Sequence, residues 1–262
     1  MNTIKKGSRG DDVKLIQRLL NLRDDGLFGS QTELFVKLWQ KENGLVPDGV
    51  VGPRSWQKVE AEYCVSPIAI YDPLVVHITQ QRNRTIRYIV VHYTAGTKSS
   101  PGTAKAIKSI FNSRNASADF AVDDRDIVQF NPDIRNNYTW AVGDKRNYII
   151  GGANYYGRCM NRNSVSVEMC STLLSGWSAR YPNHEGWCFT DRTVKNAQLI
   201  VKILMQQFNI PVQNVIRHYD VTGKLCPGIV GWNNAKIYDN LGKVTTRQSD
   251  DHFWQEFKSS LQ

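Results

Sequence analysis

Hydrophobic positions recur along this chain with two different periods. Over the first sixty residues the period is helical. Val13, Ile16, Leu19 and Leu20 follow Asp11 and Asp12, which predicts an amphipathic helix with acids in its first turn. Leu34, Phe35, Leu38 and Trp39 fall at helical spacing and predict a second helix, with Ser30 or Thr32 as its cap. Pro53 suits the first position of a third. Two turns of similar wording separate them, Asp25-Gly26-Leu27-Phe28-Gly29 and Asp48-Gly49-Val50-Val51-Gly52. Residues 1–62 therefore read as a small all-α, three-helix domain with an internal echo.

Residues 63–80 read as a linker, because Pro67 and Pro73 break helix. Within it, Leu74, Val75, Val76 and Ile78 offer an edge strand. From about residue 85 strand and helix patterns alternate. Ile86 to Tyr93, Phe120 to Val122, Ile127 to Phe130, Ser164 to Cys170 and Val212 to His218 read as strands. Thr103 to Ser113 reads as a helix. Another starts at Thr190 or Asp191, with Val194, Ala197, Val201, Leu204 and Phe208 on one face. Asp250 to Leu261 closes the chain as a helix whose apolar side is Phe253, Trp254, Phe257 and Leu261. Interleaving of this kind predicts an α/β domain over residues 81–262, with a mixed central sheet flanked by helices.

Composition narrows the class. The 262 residues are 41% hydrophobic, enough to bury a core. Lys and Arg number 33 against 24 Asp and Glu, a net charge of +9, which suits an anionic polymeric partner. The basic residues are scattered, with no arginine-rich tract, which argues against nucleic acid. No run approaches the ~18 apolar residues of a membrane span. Met1 to Lys6 lacks the apolar core of a signal peptide. The expectation is a protein held in the cytoplasm until release, or one whose signal has been trimmed. The five cysteines, Cys64, Cys159, Cys170, Cys188 and Cys226, are odd in number and irregular in spacing, unlike a disulfide framework.

The candidate chemistry centres on Arg217-His218-Tyr219-Asp220-Val221-Thr222-Gly223-Lys224-Leu225-Cys226-Pro227-Gly228. His218 follows the β-type run from Val212 to Ile216, and Cys226 returns in the loop beyond. Imidazole nitrogen and thiolate sulfur are donors that Zn²⁺ prefers. A third ligand has to come from elsewhere. His92, which also ends a β-type run and precedes a turn, is the best candidate. The plainer alternatives are satisfied core histidines and an inert buried thiol. His77, His184 and His252 lack ligand-like surroundings, and Tyr93 reads as packing.

Two resemblances sharpen this reading. Residues 3 to 60 resemble the peptidoglycan-binding domain of bacterial and phage wall hydrolases. The match lies in Lys6-Gly7-x-x-Gly10, both Asp-Gly-x-x-Gly turns, and Gln40 to Gly44. Residues 85 to 240 resemble the zinc N-acetylmuramoyl-L-alanine amidases, a group that includes phage lysozyme-like enzymes and shares its fold with the peptidoglycan-recognition proteins. The matching pieces are Val91 to Ala95, Asn163 to Glu168, and His218-x5-Lys224-x-Cys226-Pro227. The resemblance implies that His92, His218 and Cys226 bind zinc. It also implies cleavage of the amide between the lactyl group of N-acetylmuramic acid and the L-alanine of the stem peptide.

Three protein ligands leave one tetrahedral position open, as catalytic zinc requires. Glu168 is a lone carboxylate in an otherwise uncharged strand, suited to proton transfer, and Lys224 is placed to stabilise an oxyanion. A structural ion pair for Glu168 and a solvated loop position for Lys224 are the alternatives. Two departures stand out. Many relatives carry a tyrosine where this chain has Ala118 or Asp119, and some carry a histidine where it has Ala141-Val142-Gly143. The first departure shifts proton transfer onto Glu168.

The expectation is a monomeric wall hydrolase, a phage endolysin or bacterial autolysin, acting on glycan strand and stem peptide. A non-catalytic recognition protein on the same fold is the main alternative. Such relatives generally lose a zinc ligand, and this chain keeps all three. A glycosidase needs two carboxylates, about 5–5.5 Å apart if retaining, and only Glu168 stands out.

Overall fold

In the computed structural model the described residues are 2–20, 22–62, 69–95, 103–143, 152–174, 177 and 181–262. The chain divides into two compact units, Met1–Pro67 and Ile68–Gln262. Residues 63–68, the first part of the expected linker, lie outside the described residues, as do Cys64 and Pro67.

The first unit holds three helices, α1 (Asp11–Leu19), α2 (Ser30–Glu42) and α3 (Pro53–Glu62). Its core is Ile4, Val13, Ile16, Phe28, Val36, Trp39, Val51, Trp56 and Val59. The echo seen in the sequence is a repeated hydrogen-bond network. Gln17 Nε2 donates to Asp25 Oδ1 (2.9 Å), Leu27 O (3.0 Å) and Thr32 Oγ1 (3.2 Å), while Gln17 Oε1 accepts from Gly26 N–H (2.9 Å). Gln40 makes the same set with Asp48 Oδ1 (3.0 Å), Val50 O (2.9 Å), Ser55 Oγ (3.2 Å) and Gly49 N–H (2.9 Å). A buried amide is costly to desolvate unless every group is paired, and here each one closes an Asp-Gly turn.

Two expectations for α2 are corrected. Its N-cap is Gly29, with no side-chain cap bond, and Thr32 is buried on Gln17 instead. The buried face is Thr32, Val36, Trp39 and Gln40, whereas Leu34, Phe35 and Leu38 are exposed. Apolar spacing misplaces the face because two polar residues, Thr32 and Gln40, must turn inward to hold the turns.

The second unit is a mixed α/β domain. In chain order its elements are β1 (Ala69–Tyr71), β2 (Ile78–Gln80), β3 (Tyr88–Tyr93), α4 (Thr103–Ser113), β4 (Phe120–Val122), β5 (Ile127–Gln129), β6 (Asn137–Thr139) and β7 (Ser164–Met169). There follow β8 (Thr172–Leu173), β9 (Trp187–Cys188), α5 (Asp191–Phe208), β10 (Val215–Arg217), α6 (His218–Thr222), β11 (Lys236–Tyr238), β12 (Val244–Gln248) and α7 (His252–Ser259). Six strands form the central sheet in the order β1-β5-β4-β7-β3-β10. Pairing is parallel except between β4 and β5. β3 and β7 are buried along almost their whole length, as expected of strands covered on both faces. Helix α5 packs across β3, β4, β5 and β7. Thr190 caps it by accepting from Thr193 N–H, and Ala197, Ile200, Val201 and Leu204 form its buried side.

The edge strand of this sheet is Ala69–Tyr71, upstream of the 74–78 run expected. Leu74 is buried but Val75 is fully open to solvent, and Ile78–Gln80 pairs with β6 outside the central sheet. The strand expected from Val212 to His218 is also corrected. Val212–Asn214 forms a 3-10 turn, leaving only Val215–Arg217 in the sheet. His218 opens a short helix because the Asp220 carboxylate accepts from Arg217 N–H (2.8 Å) and from its guanidinium (2.9 and 2.7 Å), which turns the chain off the strand end. In α7, Phe253 is exposed while Trp254 and Phe257 are buried, and Leu261 is buried just past the helix end.

Candidate metal centre

Three adjacent strands deliver the site at their C-terminal ends. In the parallel pairing of β3 with β7, His92 stands opposite Glu168. On the other side of β3, Arg217 is level with Val91, and His218 follows at the start of α6. Paired residues on neighbouring strands point to the same face. His92 and Glu168 therefore share one, with Nδ1 and Oε1 3.9 Å apart. The loop after α6 returns Cys226 beneath them, and its Sγ lies 3.7 Å from His92 Nδ1. The His92 and His218 rings meet edge to face at 4.8 Å.

His92, His218 and Cys226 are buried, and their ligand atoms all lie within 4.8 Å of one another. The chemistry of the donors fits a metal ion. His218 Nε2 is 2.7 Å from Val142 O. That contact calls for a proton on Nε2 and leaves Nδ1 as a bare acceptor. Nδ1 is buried with no hydrogen-bond partner, and so are His92 Nε2 and Glu168 Oε2. Burial drives both imidazoles toward the neutral, ligating form. His218 falls to about 3, chiefly by desolvation and then by the Lys224 charge. His92 is lowered well below its usual value by desolvation, His218 and Lys224. Burial pushes the Cys226 thiol up to about 12, and the nearby Glu168 adds to the rise. A cation among these donors reverses that preference by stabilising the thiolate. Tyr93 N–H already donates to Cys226 Sγ at 3.4 Å.

Glu168 is pushed up to about 8, mainly by desolvation, with the Lys224 charge opposing. It can thus hold or release a proton near neutral pH. Lys224 is exposed at the rim. Its charge acts on His92, Glu168, His218 and Cys226 alike. Beside the centre runs a cleft of about 580 Å³ lined by Trp140, Gly143, Tyr156, Arg162, Val221 and Thr222 among others. The ligand side chains do not line it. It abuts them through Gly143, next to the carbonyl that holds His218, and through the last turn of α6.

The remaining histidines stand apart. His77 Nδ1 contacts Phe111 O at 3.0 Å, His184 is stacked between Trp177 and Trp187, and His252 pairs with Asp250 at the surface. Asp119, at one of the departures, is buried just ahead of β4. It accepts from Ser166 N–H (2.8 Å), Ser166 Oγ (2.9 Å), Thr139 Oγ1 (3.0 Å) and Asn131 Nδ2 (2.6 Å), a structural network. Val142, noted in the sequence only within the Ala141-Val142-Gly143 departure, is a site residue. It acts through its backbone carbonyl, which leaves no mark on residue type. Cys159, Cys170, Cys188 and Cys226 are free thiols.

Residues 82–229 match the family profile described as N-acetylmuramoyl-L-alanine amidase. The chain belongs to that family. Residues 9–59 match the profile of a putative peptidoglycan binding domain. Among curated relatives, N-acetylmuramoyl-L-alanine amidase CwlA of Bacillus sp is 36% identical over 145 residues, covering 51% of this chain and 49% of the relative. N-acetylmuramoyl-L-alanine amidase CwlH of Bacillus subtilis (strain 168) is 31% identical over 141 residues, covering 53% and 46%. The chain spans about half the length of the curated relatives it matches. Among solved structures, the catalytic domain of XlyA superposes with a TM-score of 0.46 at 26% identity, covering 74% of this chain and 99% of that one. Among the described residues, no helix is long and apolar enough to cross a membrane.

Proposed function

We propose that this amidase-family chain is a zinc-dependent peptidoglycan hydrolase. It cuts the amide between the lactyl group of N-acetylmuramic acid and the L-alanine of the stem peptide. The observation that carries the reading is the buried His92–His218–Cys226 cluster with Glu168 beside it. Two imidazoles and a thiolate suit zinc over harder, oxygen-preferring ions. When bound, zinc supplies a Lewis acid for the scissile carbonyl and lowers the pKa of a water toward 7.

The chain's own residues supply the rest. Glu168, buried beside His92 with Oε2 unpartnered, takes the proton of the attacking water and passes it to the departing nitrogen. Lys224 offsets charge developing on the carbonyl oxygen. Trp140, Tyr156 and Arg162 in the adjoining cleft offer aromatic surface and a cation to the substrate. The first unit tethers the enzyme to the wall, which raises the local substrate concentration. The site of action is the cell wall, and the chain works as a monomer.

The test measures bound zinc together with stem-peptide release from purified peptidoglycan. The parent is expected to hold about one zinc and release peptides with an L-alanine N-terminus, leaving the sugar chains intact. Glu168→Ala should keep the zinc and lose about 10²-fold or more in rate. New reducing ends would replace the amidase with a glycosidase. Zinc without any release from wall would favour a recognition protein.

A further inference from the structure

The segment that follows Cys226 carries no ligand, yet three of its carbonyls in a row are held by two buried asparagines, through the side-chain amide of Asn233 and the backbone N–H of Asn183. Pro227 O accepts from Asn233 Nδ2 at 3.0 Å, Gly228 O from Asn183 N–H at 2.6 Å, and Ile229 O from Asn233 Nδ2 at 3.2 Å. The pair is itself joined, Asn233 Nδ2 to Asn183 Oδ1 at 2.7 Å. Each amide is anchored again downstream. Asn233 Oδ1 accepts from Ala235 N–H (2.9 Å), and Asn183 Nδ2 donates to Lys236 O (2.6 Å). Both side chains are fully buried, and Asn183 sits at φ 55°, a left-handed position that asparagine tolerates. On the near side of the thiol, Cys226 O accepts from Tyr219 N–H at 2.9 Å, one residue from His218.

Cys226 therefore hangs between two fixed points. One ties it to the helix that opens with His218, and the other ties its downstream backbone to the Asn183–Asn233 pair. Buried amides contribute little net stability once their desolvation is counted. An apolar residue of similar size would fill the same space but strand the backbone groups these amides serve, at a cost in stability that the melting measurement below reads separately. What directional hydrogen bonds add is a unique backbone path through Pro227, Gly228 and Ile229. We propose that Asn183 and Asn233 are positioning residues that hold the Cys226 sulfur within bonding reach of a metal shared with His92 and His218. The proposal rests on the metal-centre reading above.

The test uses the full chain, with zinc and cobalt(II) as probes. Asn233→Leu removes the donor to Pro227 and Ile229. Asn183→Gly keeps the backbone N–H to Gly228 O and the left-handed conformation, and removes only the side-chain amide. Circular dichroism and melting of the metal-free proteins report the fold. Chelator competition reports zinc affinity, and the thiolate-to-cobalt charge-transfer band reports the Cys226–metal bond directly. Both variants are expected to fold, bind zinc 10- to 100-fold more weakly, and show a weakened charge-transfer band. Parent affinity and an unchanged band in folded variants overturn the proposal. Loss of fold in both variants does so too, because the role is then structural alone. If the parent itself binds no zinc, the metal-centre reading fails first.

Discussion

Glu168 titrates far from the ordinary carboxylate range, and the sign of its effect on stability follows. Its pKa in the metal-free fold is raised to about 8 from 4.5. Its contribution is therefore full below about pH 4.5 and is lost as pH climbs through 8. His92 and His218, whose pKa values are lowered, run the other way, with stability lost as pH falls. Glu168→Gln removes the carboxylate and leaves both histidines. Urea unfolding of the metal-free proteins at pH 5, 6.5 and 8 should show the parent losing ground to Glu168→Gln, by up to a few kcal/mol. Parallel profiles would mean that Glu168 is not desolvated. The ionisable members of the site were legible as residue types: two histidines closing β-type runs, a cysteine eight positions on, and a lone strand carboxylate. The Val142 carbonyl and the Asn183–Asn233 pair were not. A backbone oxygen has no residue signature, and asparagines are common in loops for many reasons.

At the scale of elements, α2 separates pattern from packing. Its apolar residues Leu34 and Leu38 lie in solvent, while Gln40 is buried with four hydrogen bonds that close the second Asp-Gly turn. Gln40→Ala strands the groups it serves and should destabilise the first unit by about 2–3 kcal/mol. Leu38→Ser should stay within about 0.5 kcal/mol, as a surface change. Hydrogen exchange across residues 22–59 distinguishes the two, and equal effects would put Leu38 in the core. The second unit followed its pattern more closely. The helix from Thr103 to Ser113 and the cap at Thr190 stand where the sequence put them, because helix period and capping chemistry are local. The run from Val212 to His218 started late, after a 3-10 turn over Val212–Asn214, and lost His218 where the Arg217–Asp220 contact opens α6.

For the whole molecule, on the proposed zinc reading, metal and fold are one equilibrium, since the donors converge only when the sheet is assembled. At free zinc a hundredfold above its Kd the folded second unit would gain about 2.7 kcal/mol. A chelator should therefore lower the melting temperature of the second unit and leave the first unmoved, which calorimetry of the full chain resolves. A melt indifferent to chelation would argue against a bound ion. The sequence by itself determined the kinds of element, the division into a helical and an α/β part, and a donor set suited to zinc. Each of these depends on residue type and short-range periodicity. Only the tertiary structure decided that β7, β3 and β10 lie side by side. That order sets Glu168 opposite His92 and His218 just past the end of β10, within reach of a thiol from a distant loop. Strand order and register come from long-range pairing and shared burial, and no local pattern along the chain encodes them.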